Sequence, residues 1–321
     1  MITGRRERGA SGRDYRIMAL LVVALIAAPF LGVYPVLLMK ILCFALFACA
    51  FNLLLGYSGL LSFGHAAFFG GAAYITGYLC KNLGLGPGTG ILAGTVFALM
   101  LGWVVGSLAI RRAGIYFAMI TLALAQMMYF VWLQLEFTGG EDGLQGIPRG
   151  RLAGIVDLSQ DLNLYFVVLA ICAAGFWVVH RAIHSPFGQV LKAIRENEPR
   201  AISLGYDVDR VKLLAFTLSA GLAGLAGSTK SLVLQLASLT DVHWHMSGEV
   251  VLMTLLGGLG TVFGPLVGAA LVVLLQNAAV FGRWTLVAQG VIFVVCVLVF
   301  RRGIVGEIAA LFKRVTRPQK P

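Results

Sequence analysis

Acidic side chains are scarce in this chain, with 14 Asp and Glu in 321 residues. None falls within the first four apolar blocks, Ile17 to Val33, Val36 to Leu55, Leu60 to Leu79 and Gly90 to Ile110. Glu136 and Glu249 sit only at the outer edges of later blocks. Carriers driven by protons or sodium ions use an embedded carboxylate, so this absence argues against secondary active transport. Charge of either sign is also low, 12% against 59% hydrophobic residues, where a soluble domain carries roughly 25% charged. A soluble core cannot absorb that much apolar sequence. The five cysteines (Cys43, Cys49, Cys80, Cys172 and Cys296) show no Cys-x-x-Cys spacing, which excludes a thiolate metal site and leaves them as small apolar fillers. Among five histidines, His180 and His184 have the i, i+4 spacing of zinc ligands. Arg181 stands where a metalloprotease would have glutamate, so these residues, with His243 and His245, are expected at an interface and no metal is expected.

What the sequence has in abundance is apolar blocks of about twenty residues, the length of helix needed to cross some 30 Å of hydrocarbon. Beyond the first four come Gly114 to Leu135, Leu164 to His180, Lys212 to Leu236, a glycine-interrupted block Gly248 to Val280, and Trp284 to Phe300. The formal net charge of +11 lies between these blocks, in the N-terminal tail (Arg5, Arg6, Arg8, Arg13, Arg16), a middle loop (Arg181, Lys192, Arg195, Arg200, Arg210, Lys212) and the tail after Phe300. That distribution follows the positive-inside rule rather than a phosphate-binding stripe, and no nucleic acid is expected. The stretch from Phe137 to Asn163 carries Glu141, Asp142, Asp157 and Asp161 against Arg149 and Arg151, as an external loop should. Parity then requires an odd number of crossings after Asp241. The predicted fold is all-α, a polytopic membrane protein with about ten (eight to ten) transmembrane helices and a cytosolic loop. Residues 1–16 form a cytosolic tail, 17–300 the membrane domain with external loop 137–163 and cytosolic loop 182–212, and 301–321 a second cytosolic tail. The Arg-rich start and its apolar run read as an uncleaved first span.

Two glycine-rich breaks interrupt the blocks. One contains Gly56, Gly59, Gly64 and His65; the other contains Gly257, Gly258, Gly260, Gly264 and Pro265. Irregular backbone at membrane depth survives where protein or a water-filled cavity satisfies it, which points towards a translocation path. Close helix packing is the alternative, because Gly260, Gly264 and Gly268 form small-xxx-small spacings, as do Gly102 and Gly106. Gly56-Tyr57-Ser58-Gly59 matches the Gly-x-Ser-Gly of rhomboid-like intramembrane proteases. A serine nucleophile needs a base within reach, and His65 is followed by no other histidine until His180. No catalytic residue is expected. The run from Gly224 to Ser231 lacks the glycine before Lys230 that a phosphate loop requires. Lys230 itself, deep in its block, is satisfied by snorkelling, by a water-filled path or by a partner carboxylate.

The loop from Ser185 to Lys212 reads as two short helices. Pro186 opens the first, Val190, Leu191 and Ile194 share a face, Pro199 starts the second and Gly205 ends it. Glu196, Glu198, Asp207 and Asp209 dilute its basic charge, which favours a protein partner over an anionic lipid surface.

Here the chain resembles the LivM-type permease subunit of branched-chain amino-acid ABC importers. The residues that carry the likeness are Ser185-Pro186-Phe187-Gly188, Ala193 to Glu198, Ala201, Leu204-Gly205 and Lys212 to Phe216. Supporting matches are Asn52 to Phe68, Thr138 to Pro148 and Leu256 to Pro265. The resemblance implies that Ala193, Arg195, Glu196, Glu198, Ala201 and Gly205 belong to an ATPase-coupling loop. It implies a LivH-type second permease subunit, two cytosolic ABC ATPases, an extracytoplasmic binding protein, and a bacterial inner-membrane location with both termini cytosolic. No cofactor would be bound by this chain, ATP being hydrolysed by its partners. Importers of urea or short amides use similar permeases, so the resemblance leaves that substrate class open.

Overall fold

In a computed structural model, residues 23–277 are described apart from 33, 153 and 155, together with 287, 290, 291, 294, 295 and 303–307. The expected first span is described over residues 23–32, where a 3-10 turn at Ala28–Leu31 ends at Gly32 with φ 83°; the span Trp284 to Phe300, Cys296 and both tails lie wholly or largely outside the described residues.

Helices dominate what is described. Pro35 opens α1 (Pro35–Asn52), which continues into a π-helical turn, Leu53–Ser58, ended by Gly59 at φ 77°. After a short coil come α2 (His65–Lys81), α3 (Pro87–Ala109) and α4 (Ile115–Gln134). Prolines at the first turns of α1 and α3 supply a fixed φ where no N–H is needed. Three strands of two residues each follow, β1 (Leu144–Gln145), β2 (Arg151–Leu152) and β3 (Val156–Asp157). Then come α5 (Asp161–Ile183), α6 (Pro186–Glu196), α7 (Glu198–Ser203), α8 (Val208–Leu234), β4 (Leu236–Ala237), α9 (Leu239–Val242), α10 (Trp244–Gly257) and α11 (Gly264–Asn277).

Among the described residues five helices are long and apolar enough to cross a membrane: Pro35–Ser58, Pro87–Ala109, Ile115–Gln134, Asp161–Ile183 and Val208–Leu234. The block Gly248 to Val280 is resolved up to Asn277 as two helices of 14 residues, each only about 21 Å long at 1.5 Å per residue. The block Leu60 to Leu79 begins its helix late, at His65, because residues 59–64 are used by the break.

At the centre lies α8, packed against α1, α2 and α3. Small residues let these backbones approach: a Cβ on Gly227 would collide with the Phe69 carbonyl oxygen, and one on Gly102 with the Ala220 methyl. Outside this core α3, α4 and α5 expose Met100, Trp103, Ile115, Met119, Phe130 and Trp177, an apolar girdle suited to lipid rather than water.

The chain has two ends. At one, β1 pairs antiparallel with β4 (Leu144↔Ala237), β2 with β3 (Arg151↔Asp157), and Arg149 donates to the Val233 carbonyl and to the Asp161 carboxylate. The Asp157 carboxyl there lies below its usual range because the backbone N–H of Ser159 donates to it. At the opposite end lie α6, α7 and both glycine-rich breaks.

Candidate functional site

Both breaks belong to one junction. The Asn52 amide donates to the Thr261 carbonyl (2.8 Å) and accepts from the Gly260 N–H (3.0 Å), while the Tyr57 hydroxyl donates to the Gly260 carbonyl (2.8 Å). Asn52 and Thr261 are 209 residues apart in sequence. Irregular backbone in an apolar setting must find partners, and each break uses the other. Geometry explains two of the glycines. A Cβ on Gly56 would meet the Gly260 N–H at 2.8 Å, and Gly260 itself has φ 71°.

Helix α6 closes the junction from outside the apolar core. Arg195 Nη1 donates to the Gly56 carbonyl, and a Cβ on Gly59 would lie 3.2 Å from Arg195 Cγ, so the glycine seats the arginine stem. Lys192 Nζ stands 5.7 Å from the centre of the Tyr57 ring, a cation–π contact. Together Gly56, Tyr57, Lys192, Arg195, Glu196 and Gly260 line a cavity of about 400 Å³.

The remaining candidate residues separate into distinct roles. Gly257, Gly264 and Gly268 serve close packing of α10 on α11, since a Cβ on Gly257 or Gly268 would strike the Gly264 or Met253 carbonyl oxygens. Gly258 turns the chain at φ 117°, and Pro265 follows Gly264 at the start of α11. Gly64 abuts α4, where a Cβ would meet the Thr121 carbonyl at 3.0 Å. His65 is buried, its Nε2 2.8 Å from Ser219 Oγ, which in turn donates to the Ala50 carbonyl (2.6 Å). It thus ties α2 to α8 and α1 among Phe51, Phe68 and Phe216. Ser58 donates to the Leu54 carbonyl within its own turn. The His180 and His184 rings stack at 4.2 Å, and no three metal-ligating side chains converge among the described residues.

In the loop, Asn197 caps α7 by accepting from the Arg200 N–H (3.0 Å), and Gly205 ends the turn at φ 85° in open space. One expected contact residue turns inward and another is held in an ion pair while still partly exposed. Ala201 is 1% exposed, packed with Ile194 and Val208, and Glu198 accepts from Lys212 Nζ at 2.6 Å. The exposed surface of the loop includes the expected Arg195, Glu196 and Gly205 together with an apolar patch of Ile202 (57%), Leu204 (66%) and Tyr206. Beside it runs an open groove of about 690 Å³ lined by His184, Ser185, Pro186, Gln189, Val190, Ala193 and Tyr206.

At the strand end a different device appears. Lys230 Nζ bonds both carboxylate oxygens of Asp241 at 2.6 Å, with 7% and 2% side-chain exposure, and the Ser238 hydroxyl also donates to Asp241 (3.2 Å). A partner carboxylate, not snorkelling, therefore satisfies Lys230. Asp241 sits in the short helix α9, pressed into α2 where a Cβ on Gly70 would meet the Val242 N–H at 2.6 Å. Asn52, Tyr57, Thr261 and Asp241 carry these contacts although spacing alone did not single them out. A solitary Asn inside an apolar run was the available signal for the first.

A family profile described as "Branched-chain amino acid transport system / permease component" matches residues 35–300. The chain is 29% identical, over 94% of its length and 75% of the relative's, to the high-affinity branched-chain amino acid transport system permease protein LivM of Salmonella typhimurium. The protein of the same name from Escherichia coli is 28% identical over the same shares. The ribose import permease protein RbsC of Bacillus subtilis is 31% identical over 56% of this chain and 58% of its own. No solved structure matches.

Proposed function

We propose, on the premise that this chain belongs to the family of permease components of branched-chain amino acid transport systems, that it forms one half of the membrane path of an ATP-driven importer for branched-chain amino acids. The family is one of transport components, not of enzymes. The observation that carries the reading is the α6–α7 loop, which joins an exposed surface for a partner to the junction of two membrane breaks through Arg195 and Gly56.

In this reading the loop end is cytosolic and docks on an ABC ATPase, the strand end faces an extracytoplasmic binding protein, and a LivH-type permease completes the path. The location is a bacterial inner membrane with both termini cytosolic. The short helices α10 and α11 then count as two crossings meeting a further span, for a total of about ten. Reporters fused after Asp157 should read outside and those after Arg200 inside.

The functional test is uptake of labelled leucine, with urea and ribose as competitors, by this chain reconstituted with its neighbouring permease, ATPases and binding protein. Glu196→Lys reverses a charge on the exposed surface, and Gly205→Val places a β-branched residue at φ 85°. Both should reduce uptake and substrate-stimulated hydrolysis about tenfold while the subunits still insert in the membrane, on the scale of 1.4 kcal/mol per decade. Unmodified uptake in both variants would refute the docking role of the loop.

A further inference from the structure

Arg195 lies in the segment expected to meet the ATPase, yet its guanidinium turns the other way. It reaches back over Gly59 and donates to the Gly56 carbonyl. That carbonyl is available because the π-helical turn stops at Ser58, two residues later, where Gly59 takes a left-handed conformation. A helical partner for Gly56 would have to lie beyond that stop, so the acceptor is left for another group. Arginine suits the position, since its charge strengthens the bond and its planar fork fixes the direction of approach.

Gly56 is also the point where the second break touches the first. Its neighbours Asn52 and Tyr57 hold Gly260 and Thr261 by three hydrogen bonds. A displacement of α6 therefore has a short, continuous path: guanidinium to Gly56, along the turn to Asn52 and Tyr57, and across to the 258–263 turn between α10 and α11. Lys192, one helical turn before Arg195, adds its contact with the Tyr57 ring on the same path. Both Arg195 and the next residue, Glu196, are exposed, and it is Arg195 whose guanidinium is engaged on the membrane side, at the Gly56 carbonyl.

We propose that Arg195 is a positioning residue that ties the cytosolic loop to the junction of the two membrane breaks, delivering loop movement to α1 and the α10–α11 turn, rather than a docking contact for the ATPase. This rests on the importer reading above. Contiguity alone does not establish coupling, so the test must read the coupling itself.

The experiment uses the whole importer in proteoliposomes, with Arg195→Ala and Arg195→Lys, and reads substrate imported per ATP hydrolysed. A second arm follows labelling of Leu259→Cys by a water-soluble maleimide, with and without ATP trapped on the ATPases. Leu259 is exposed at the tip of the second break. Arg195→Ala is expected to lower import per ATP about tenfold, within the range of 5- to 150-fold typical of coupling between sites. Arg195→Lys should recover part of it, because the ammonium keeps the charge and loses the fork. The ATP-dependent change in Leu259→Cys labelling, present beside Arg195, should vanish with Arg195→Ala. Import and hydrolysis falling in parallel, or an unmodified ratio with the labelling change intact, would overturn the proposal. Failure of the importer reading looks different: the unmodified complex itself would show no ATP-driven uptake.

Discussion

The two ends of the helix bundle solve one problem by opposite means. Each must bind a stretch of irregular backbone to distant helices inside an apolar environment. At the loop end the two breaks are joined by neutral hydrogen bonds among amide, phenol and main-chain groups, with one arginine added from outside. At the strand end, where Gln235 ends α8 in a left-handed conformation, α9 is held by a buried Lys230–Asp241 ion pair. Neutral bonds to main chain cost little to exchange for bonds to water, whereas separating a desolvated ion pair leaves two buried charges uncompensated. The comparison teaches that the loop end is held by bonds that water can replace and the strand end by a pair that water-free surroundings make costly to separate.

The largest predicted effect follows from the ion pair. Asp241→Asn leaves the buried Lys230 ammonium without its counter-charge, which should destabilise the purified chain by about 3–5 kcal/mol, read as a fall in unfolding midpoint in detergent or lipid. Replacing both partners, Lys230→Met with Asp241→Leu, buries no charge and should recover most of that loss. A single variant as stable as the parent would remove the contrast between the two ends.

At the loop end Asn52→Ala strips partners from the Gly260 N–H and the Thr261 carbonyl. Each group left unsatisfied costs about 1–3 kcal/mol when buried, but Gly260 and Thr261 are only half-buried and can recruit water. The expected loss is about 2 kcal/mol, concentrated as faster hydrogen exchange across residues 258–263. Slower exchange there, or a loss matching that of Asp241→Asn, would contradict the view that this end is loosely held.

Much of this was legible in the sequence, for identifiable reasons. Apolar block length located α3, α4, α5 and α8 within a few residues, because a bilayer imposes one period and one length. Glycine clusters marked both breaks, because positive φ and close backbone contact each exclude a Cβ. Pro186, Pro199 and Gly205 marked the loop helices through local rules of initiation and termination. What escaped depends on contacts between distant segments. Asn52 and Thr261 share no local pattern, and nothing local shows that α9 folds back against α2 to bring Asp241 to Lys230. Ala201, which the resemblance places in the coupling loop, is buried against Ile194 and Val208, a packing contact that the loop's local sequence does not reveal.

The smallest effect sharpens the comparison most. Tyr57→Phe removes one neutral bond, Tyr57 Oη to the Gly260 carbonyl, and keeps the ring under Lys192. A half-buried carbonyl accepts water in place of the phenol, so the loss should be about 1 kcal/mol or less, against several for Asp241→Asn. Tyr57 and Asn52 nevertheless grip the same residue, Gly260, from the two sides of its peptide. If the junction is one cooperative unit, the second bond holds less once the first is gone. The double variant Asn52→Ala with Tyr57→Phe should then lose less than the sum of the single losses, with an interaction term above about 0.5 kcal/mol in a double-mutant cycle. Additivity within about 0.3 kcal/mol would mean two independent contacts, and the path from α6 to the 258–263 turn would have to run through Asn52 or Tyr57 alone.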